Sequence, residues 1–468
     1  MSITLDAPAQ AAVAETTAPR SHPRRWLGLF AILGADLLNL LDSTVGTIAA
    51  PAIRADLGGS TATLQWIGAG YTLAMAVGLL VGGRLGDMYG RKRMMILGVL
   101  GFLGASLLCA VSVSPEMLLA ARVLQGGFGA VMVPQSFGLI RELFGADVGK
   151  AFALLGPVIG LATVLGPVAA GLLVDADLFG TGWRMVFAVN LPLGLFALLV
   201  GRRVLPNNAP AVRGGRLDVR GAILAAAGMF LLVYPLTQGH ELGWPLWTFG
   251  MLAASVVVFA IFLRVQKGLV RMSVFAKRSY TSGVLFAVAL FGAITGFSLT
   301  VGLFLQLGLA YSPLKASLTM APWAVGAFLG SAIGATVLAG LGRRVLHLGL
   351  GLMSVGMVWL FVTMSTEGLQ IAPLAVYGAG MGMIFVPLFD IIVGDLADDE
   401  VGSASGVLTS MEQLGSSLGI AVLGTVFFAN VDGGFVNATK IVTLVALGLT
   451  AVTFALGFLL PHKAKAAH

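Results

Sequence analysis

The feature that most constrains this chain is a succession of long apolar runs, separated by short polar segments. A helix rises ~1.5 Å per residue, so about 20 apolar residues are needed to cross the hydrocarbon core of a bilayer. We count about fourteen such runs and expect each to form a membrane-spanning helix. They lie near residues 26–51, 63–82, 94–113, 116–140, 150–174, 184–204, 217–238, 246–264, 281–309, 315–341, 345–365, 370–394, 402–429 and 439–461.

The composition supports the same interpretation. Hydrophobic residues make up 57% of the 468 residues and charged residues only 10%, whereas about a quarter of a soluble domain is charged. We therefore predict an all-α polytopic membrane protein with about 14 transmembrane helices. Residues 1–25 lack the apolar centre of a signal peptide, and we expect them to form a disordered cytoplasmic tail.

The distribution of positive charge predicts the orientation. With spans assigned as above, 23 of the 28 Lys and Arg residues fall in segments on one side, and four fall on the other. Lys and Arg accumulate in short cytoplasmic loops, so this side is predicted to be the cytoplasm, and both termini lie there. The protein is expected in the cell membrane. The formal charge of +7 is explained by this bias, and no nucleic-acid partner is implied.

A weak internal repeat divides the chain into two halves. An offset of 253 residues aligns Val133-Pro134 with Val386-Pro387, and each proline precedes a glycine by 15 residues. The offset maps spans 1–6 onto spans 9–14 and leaves spans 7 and 8 as an insertion, as in transporters built from parallel repeats. The predicted units are a tail at 1–25, a six-helix bundle at 26–204, a linker with two extra helices at 205–280, a six-helix bundle at 281–461 and a tail at 462–468.

Several motifs accompany this pattern. Span 4 contains Arg122-x-x-Gln125-Gly126, and a Trp183-Arg184 pair precedes Asn190 at the start of span 6. The loop between spans 2 and 3 carries Gly83, Asp87, Gly90, Arg91, Lys92 and Arg93. Span 5 carries Gly156, Gly160, Gly166, Pro167 and Gly171. Small residues at this spacing let membrane helices approach closely, and ordinary helix packing would explain the span 5 pattern equally well.

Together these motifs resemble those of the major facilitator superfamily, and specifically its fourteen-span drug:proton antiporter branch. The resemblance implies the major facilitator fold, with two six-helix bundles and two inserted helices. It implies that the loop from Gly83 to Arg93 acts as a conformational gate, that the span 5 glycines form the antiporter motif, and that Arg122 takes part in proton transfer. We expect Asp87 to cap span 13 when the cavity faces outward, with Arg91 to Arg93 meeting the acidic loop 398–400.

Ionisable residues within spans are the candidate site, because they are costly there and usually functional. At ~1.5 Å per residue, Asp36 and Glu412 lie about 15 Å deep. Asp42 lies about 24 Å from the inner end of span 1 and Arg122 about 9 Å below the outer surface, so these two match in depth and are predicted to pair. Polar residues at helical spacing predict a cavity face beside the acids; they are Asn39, Ser43, Thr409 and Gln413. A hydrogen-bond network without a transport role is the alternative. Asp390, near the inner end of span 12, either joins the site or simply reaches the interface.

Two rival classes are weighed against a transporter. A membrane enzyme or electron carrier usually needs clustered histidines, but all five lie in tails, loops or a span end. No phosphate-binding loop is present either. A channel is disfavoured by the repeat and the motifs. We therefore predict a non-enzymatic, cofactor-free and metal-free proton-coupled antiporter that exports lipophilic, cationic drugs or antibiotics. Its partners are small molecules, protons and the bilayer, with no obligate protein partner. The alternative is a proton-linked transporter of another amphipathic metabolite or lipid.

Overall fold

The structure is a computed structural model that describes residues 24–43, 48–147, 150–151, 165–207, 217–266, 269–270, 272–336, 341–364, 366, 368–396 and 398–462. Within these residues the backbone forms helices and turns, with no strand. The helices are α1 Arg25–Ser43, α2 Ala50–Leu57, α3 Thr61–Tyr89, α4 Arg91–Ala110, α5 Pro115–Phe144, α6 Leu165–Ala176, α7 Arg184–Ala188, α8 Asn190–Val204, α9 Val219–Gln238, α10 Leu246–Val265, α11 Arg278–Leu303, α12 Pro313–Thr336, α13 Arg344–Thr363, α14 Ile371–Val393, α15 Asp398–Asn430 and α16 Phe435–Gly457.

Thirteen helical segments of the described residues are long and apolar enough to cross a membrane. They match the predicted spans apart from the fifth, with α7 and α8 together forming the sixth. The fifth span was predicted at 150–174. Residues 152–164 of this span lie outside the described part. The described helix α6 covers its last residues and is shorter than the other apolar segments. About fourteen spans therefore fits the structure. Among these thirteen segments, the inserted helix α10 is the least covered by protein, since only 17% of its most apolar stretch is buried.

The turn between spans 2 and 3 is shorter than the charged loop suggested. Helix α3 continues to one residue before Gly90 and α4 begins one residue after it. Gly90 has a φ of 94°, a conformation that glycine adopts without strain. Gly82 and Gly86 instead let α3 approach α5: a Cβ on Gly82 would lie 2.1 Å from the carbonyl oxygen of Ala130. Gly83, by contrast, has only an ordinary van der Waals neighbour.

Corresponding helices of the two halves pack in corresponding pairs. Helix α3 packs against α5, and α12 packs against α14. At the first contact, a Cβ on Gly126 would lie 2.3 Å from the carbonyl oxygen of Tyr71; at the second, a Cβ on Gly378 would lie 1.9 Å from that of Trp323. Both contacts depend on glycine because the backbones touch directly.

The two halves meet along α3 and α15. We call the end of the bundle near Gly90 the inner end, following the predicted orientation, and the opposite end the outer end. Thr72 shares a hydrogen bond with Ser417, and Ser410 donates to the carbonyl oxygen of Ala76. At the outer end, the start of α12 meets α6, where the amide of Leu314 donates to a carboxylate oxygen of α6 at 3.2 Å.

The described ion pairs at the inner end stay within one half each. Arg91 contacts Asp87 and Glu142, both at 3.5 Å. Lys277 contacts Glu400 at 2.6 Å. Direct hydrogen bonds between the halves, among the described residues, therefore lie in the middle and outer parts of the bundle.

The inserted pair of helices bridges both halves at the outer end. Helix α9 packs against α10, α3 and α15. The hydroxyl of Thr425 on α15 donates to the carbonyl oxygen of Leu236 at 2.8 Å. The Glu241 carboxylate, in the loop after α9, accepts from the amide of Ala62 at 2.7 Å and from the hydroxyl of Thr61. This loop therefore caps the start of α3 while α9 holds α15.

Candidate functional site

A buried ion pair lies at the centre of the first half. Asp42, at the end of α1, accepts a hydrogen bond from Arg122 on α5, and neither side chain is exposed. The sequence predicted both residues at a similar depth, and the structure brings them together. A guanidinium and a carboxylate removed from water stabilise each other only when their remaining hydrogen-bonding atoms are also satisfied.

Two amide side chains add hydrogen bonds to this pair, while Arg122 Nη2 has no hydrogen-bond partner among the described residues. Gln125 donates to Asp42 Oδ1 at 2.8 Å, and Asn190 donates to the same atom at 3.0 Å. Gln125 also accepts from Arg122 at 2.7 Å. Ser106 on α4 lies 2.8 Å from the Gln125 amide. The Asp42 carboxylate therefore has three donors from α5 and α8, and one network joins α1, α4, α5 and α8.

Aromatic rings cover the other side of Arg122. The guanidinium carbon lies 4.3 Å from the ring centre of Tyr71 and 5.7 Å from that of Phe187. A desolvated cation over an aromatic face is stabilised by about 2 kcal/mol. The Tyr71 hydroxyl donates to Asn39 on the polar face of α1. The predicted polar residue Asn39 is thus linked to Arg122 through one tyrosine.

Asp36 lies outside this network. It is half-buried, and it accepts a hydrogen bond of 2.7 Å from Ser136 on α5. Ser43, the other predicted polar residue of α1, is exposed and donates to the carbonyl oxygen of Leu40.

Glu412 on α15 is a buried acid of the second half. It is 8% exposed, and its Oε1 atom has no hydrogen-bond partner among the described residues. Thr409 and Gln413, the predicted polar neighbours, are half-buried on the same helix. Within the described residues, no hydrogen bond or ion pair links Glu412 with Asp36. The two halves therefore hold their acids differently, one closed by three donors and one with a buried oxygen atom left unpaired.

The remaining predicted residues lie away from these acids. Asp390 is exposed near the inner end of α14, as the interface alternative requires. Gly156 and Gly160 of the antiporter motif lie outside the described residues. Gly166 and Pro167 are in α6, where Gly171 packs so closely on α12 that a Cβ would lie 2.4 Å from the hydroxyl of Ser317.

The predicted gate residues lie at the inner end. Asp87 contacts Arg91, while Lys92 donates to the carbonyl oxygen of Leu205 at 2.7 Å and Arg93 is exposed. Glu400, one of the acidic partners predicted for the outward-facing state, contacts Lys277 of its own half here. The contact of the acidic loop 398–400 with Arg91 to Arg93 stays a prediction for the outward-facing state.

Neither Gln125 nor Asn190 is predicted from the sequence to belong to the site. Both are amides within apolar spans, and buried polar residues in a membrane protein usually have a partner. The same reasoning that singled out Asp42 would have identified them. Ser136, the partner of Asp36, offers a weaker signal because a single hydroxyl is common in membrane helices.

Comparison with known proteins shows which family has this architecture. The Major Facilitator Superfamily profile matches residues 32–420. The chain is 46% identical over 440 residues to a probable actinorhodin transporter of Streptomyces coelicolor, covering 89% of this chain and 76% of that one. It is 35% identical to a puromycin resistance protein of Streptomyces alboniger, covering 94% and 90%. It is 34% identical to a tetracenomycin C resistance and export protein of Streptomyces glaucescens, covering 90% and 80%.

Solved structures agree on the fold. A peptide transporter crystallised with sulfate superposes with a TM-score of 0.68 at 14% identity, covering 98% of this chain and all of that one. This similarity concerns the fold alone. The fold is the major facilitator fold with two inserted helices, and its relatives are transporters and resistance proteins, not enzymes. The chain belongs to the major facilitator superfamily, as a multi-pass transporter related to antibiotic exporters.

Proposed function

We propose that this transporter is a proton-coupled antiporter that exports lipophilic, cationic drugs or antibiotics by alternating access. The observation that carries the proposal is the buried Oε1 atom of Glu412, which has no hydrogen-bond partner among the described residues. A carboxylate removed from water is costly when it is charged and unpaired, so it needs either a proton or a cationic ligand. Competition between these two for one carboxylate exchanges a proton for a cation.

The relatives support the class of substrate. Three of them are named for actinorhodin transport, for puromycin resistance and for tetracenomycin C resistance and export. Transport of an antibiotic or resistance to one is what these names have in common, and for this chain we propose export of an antibiotic. Asp36 is proposed as the second acid of the site, because it is half-buried on α1 and has no cation among its described partners.

Arg122 and Asp42 are proposed to couple the proton to the conformational change. Their pair is closed by Gln125 and Asn190, so Asp42 would accept a proton only when these contacts loosen. Arg122→Ala should therefore lose proton-driven transport more than drug binding. If drug affinity collapses while proton coupling survives, these roles are wrong.

Alternating access requires the outer contacts to separate and inner contacts to form. We propose that Asp87 then caps the inner end of α15, while Arg91 to Arg93 meet its acidic start. Asp87→Asn should slow transport, and normal transport by this variant in vesicles would count against the gate.

Proton release tests the function directly. Everted membrane vesicles with an imposed proton gradient should release protons when tetraphenylphosphonium or puromycin is added. Glu412→Gln and Asp36→Asn should abolish this response, whereas Asp432→Asn, an exposed acid in an outer loop, should retain it. Release with amphipathic metabolites or lipids, and none with cations, would favour the alternative substrate class.

A binding measurement tests the proposed site separately from proton coupling. Tetraphenylphosphonium binding to the purified protein should weaken as pH falls between about 8.5 and 5.5, because protons compete with the cation for the acids. Glu412→Gln and Asp36→Asn should lose this dependence. If both variants keep the pH dependence of the wild type, the proposed site is wrong.

A further inference from the structure

A cavity lies at the inner end of the second half, away from the acids assigned to transport. Its volume is about 500 Å³, and it lies between the start of α11, the start of α13 and the segment after α16. Three cations and one carboxylate line it: Lys277, Arg278, Arg343 and Asp395. The lining therefore carries a net positive charge.

Two of the cations are oriented by backbone carbonyl groups. Arg343 donates through Nη1 to the carbonyl oxygens of Phe458 at 3.0 Å and Leu460 at 2.7 Å. Arg278 donates through Nε to the carbonyl oxygen of Leu459 at 3.2 Å. Its two Nη atoms have no hydrogen-bond partner among the described residues. Arg278 thus presents unused, oriented donors.

Lys277 differs from the two arginines. It donates to Glu400 at 2.6 Å and to the carbonyl oxygen of Asp395 at 2.8 Å, so its charge is largely balanced already. The donors available to a ligand are therefore those of Arg278, with Arg343 adding positive potential.

A buried hydroxyl adjoins the arginines. Ser279 is 2% exposed, lines the cavity, and its Oγ atom has no partner among the described residues. It lies in the first turn of α11, where helix N–H groups lack acceptors, and Lys277 before it supplies no capping side chain. The N–H groups of this first turn, a hydroxyl without a partner among the described residues and a guanidinium together suit a tetrahedral oxyanion.

We propose that this cavity binds a phosphate group, with Arg278 and Ser279 as its ligands. The apolar side chains at its rim favour a membrane phospholipid as the source, since Phe458 is 56% exposed and Leu459 is 42% exposed beside the phosphate position. Exposed apolar side chains next to a basic pocket at a membrane surface suit an acyl chain attached to an anionic head group. The site involves none of the acids assigned to transport.

Lipid binding to the purified, delipidated full-length protein tests the proposal. Phosphatidylglycerol, phosphatidylcholine and inorganic phosphate would be titrated separately, with bound lipid counted by native mass spectrometry and the melting temperature recorded. Phosphatidylglycerol should bind and raise the melting temperature, and Arg278→Gln should weaken this binding about 10-fold, as expected for one lost charge-assisted hydrogen bond. Arg344→Gln, which removes a neighbouring exposed charge outside the cavity, should bind as the wild type does.

The other outcomes separate the possible sources. Protection by inorganic phosphate equal to that by phosphatidylglycerol, and lost in Arg278→Gln, would support the phosphate site and overturn the lipid assignment. Equal protection by phosphatidylcholine would overturn the requirement for net negative charge. Unchanged phosphatidylglycerol affinity in both Arg278→Gln and Ser279→Ala, in variants that melt as the wild type does without lipid, would overturn the site itself.

Discussion

Removing both charges of the Asp42–Arg122 pair should destabilise the protein less than the sum of the two single removals. Asp42→Asn preserves the side-chain shape but leaves a guanidinium with no exposure and no counter-charge. Arg122 would retain the Gln125 oxygen, the carbonyl oxygen of Ile67 at 3.2 Å and the ring of Tyr71. These contacts reduce the penalty without removing it, because none of them carries a full negative charge.

The magnitudes follow from the contacts. Breaking one side of a buried ion pair costs about 3–5 kcal/mol, and the retained contacts place each single variant near the lower end of that range. In the double variant Asp42→Asn with Arg122→Gln no buried charge remains. Three altered hydrogen bonds, averaging about 0.6 kcal/mol each in membrane proteins, cost about 2 kcal/mol, and the lost contact between the guanidinium and the Tyr71 ring costs about 2 kcal/mol more. The two single costs therefore sum to about 6 kcal/mol against about 4 kcal/mol for the double variant.

Reversible unfolding in mixed detergent and lipid micelles, followed by circular dichroism, measures these differences. Thr72→Ala is a matched control, since it removes one buried hydrogen bond to Ser417 and no charge, and should cost about 1 kcal/mol. A double-variant cost equal to the sum of the single costs would show that the two charges are not energetically coupled, and would refute the reasoning.

Two further predictions concern packing and the inserted loop. Gly82→Ala should cost about 1–3 kcal/mol, because its Cβ would overlap a carbonyl oxygen of α5, whereas Gly104→Ala, in open space, should be neutral or slightly stabilising in thermal unfolding. Equal effects of the two would contradict the packing. Glu241→Gln should lower stability by about 1 kcal/mol or less. Burial raises the pKa of Glu241, but hydrogen bonds from Thr61 and Ala62 outweigh it and hold the pKa below its usual value. The contribution is therefore complete above the unfolded pKa of about 4.3 and disappears as pH falls through the lower folded value. Melting temperatures should differ from the wild type equally at about pH 6 and pH 8, and a difference that changes between them would contradict the prediction.

The spans were predictable because the bilayer imposes one length and one apolar composition on every helix. The orientation of a side chain around a helix is set by packing, which no apolar run specifies. Asp42 and Arg122 were paired from depth alone, since a lone charge at that depth is too costly to lack a partner. The position of Asn190 beside Asp42 depends on how α8 rotates against α1 and α4, which the sequence does not give.

The close glycine contacts show the same difference between what a sequence predicts and what packing decides. The sequence marks Gly82, Gly83 and Gly86 as equally small, and only the crossing of α3 over α5 decides which of them meets a backbone. The turn at Gly90 was likewise predicted as part of a longer loop. Charge density in a segment indicates which side of the membrane the segment faces, but not how much of the segment is helical. Here α3 and α4 contain every residue of the charged segment except Gly90.

The contacts between the halves are suited to a reversible change. Those described here are mainly hydrogen bonds without a full charge pair, such as Thr72 with Ser417 and Ser410 with the carbonyl oxygen of Ala76. At about 0.6 kcal/mol each, four such bonds contribute roughly 2–3 kcal/mol. A two-state protein whose minor state is populated to a few per cent differs by a similar amount. The charged contacts at the inner end, of Arg91 and of Lys277, lie within single halves, so they need not break for the outer end to open. A contribution of this size is within reach of one proton or one bound cation, which is what the proposed coupling through a single buried carboxylate requires.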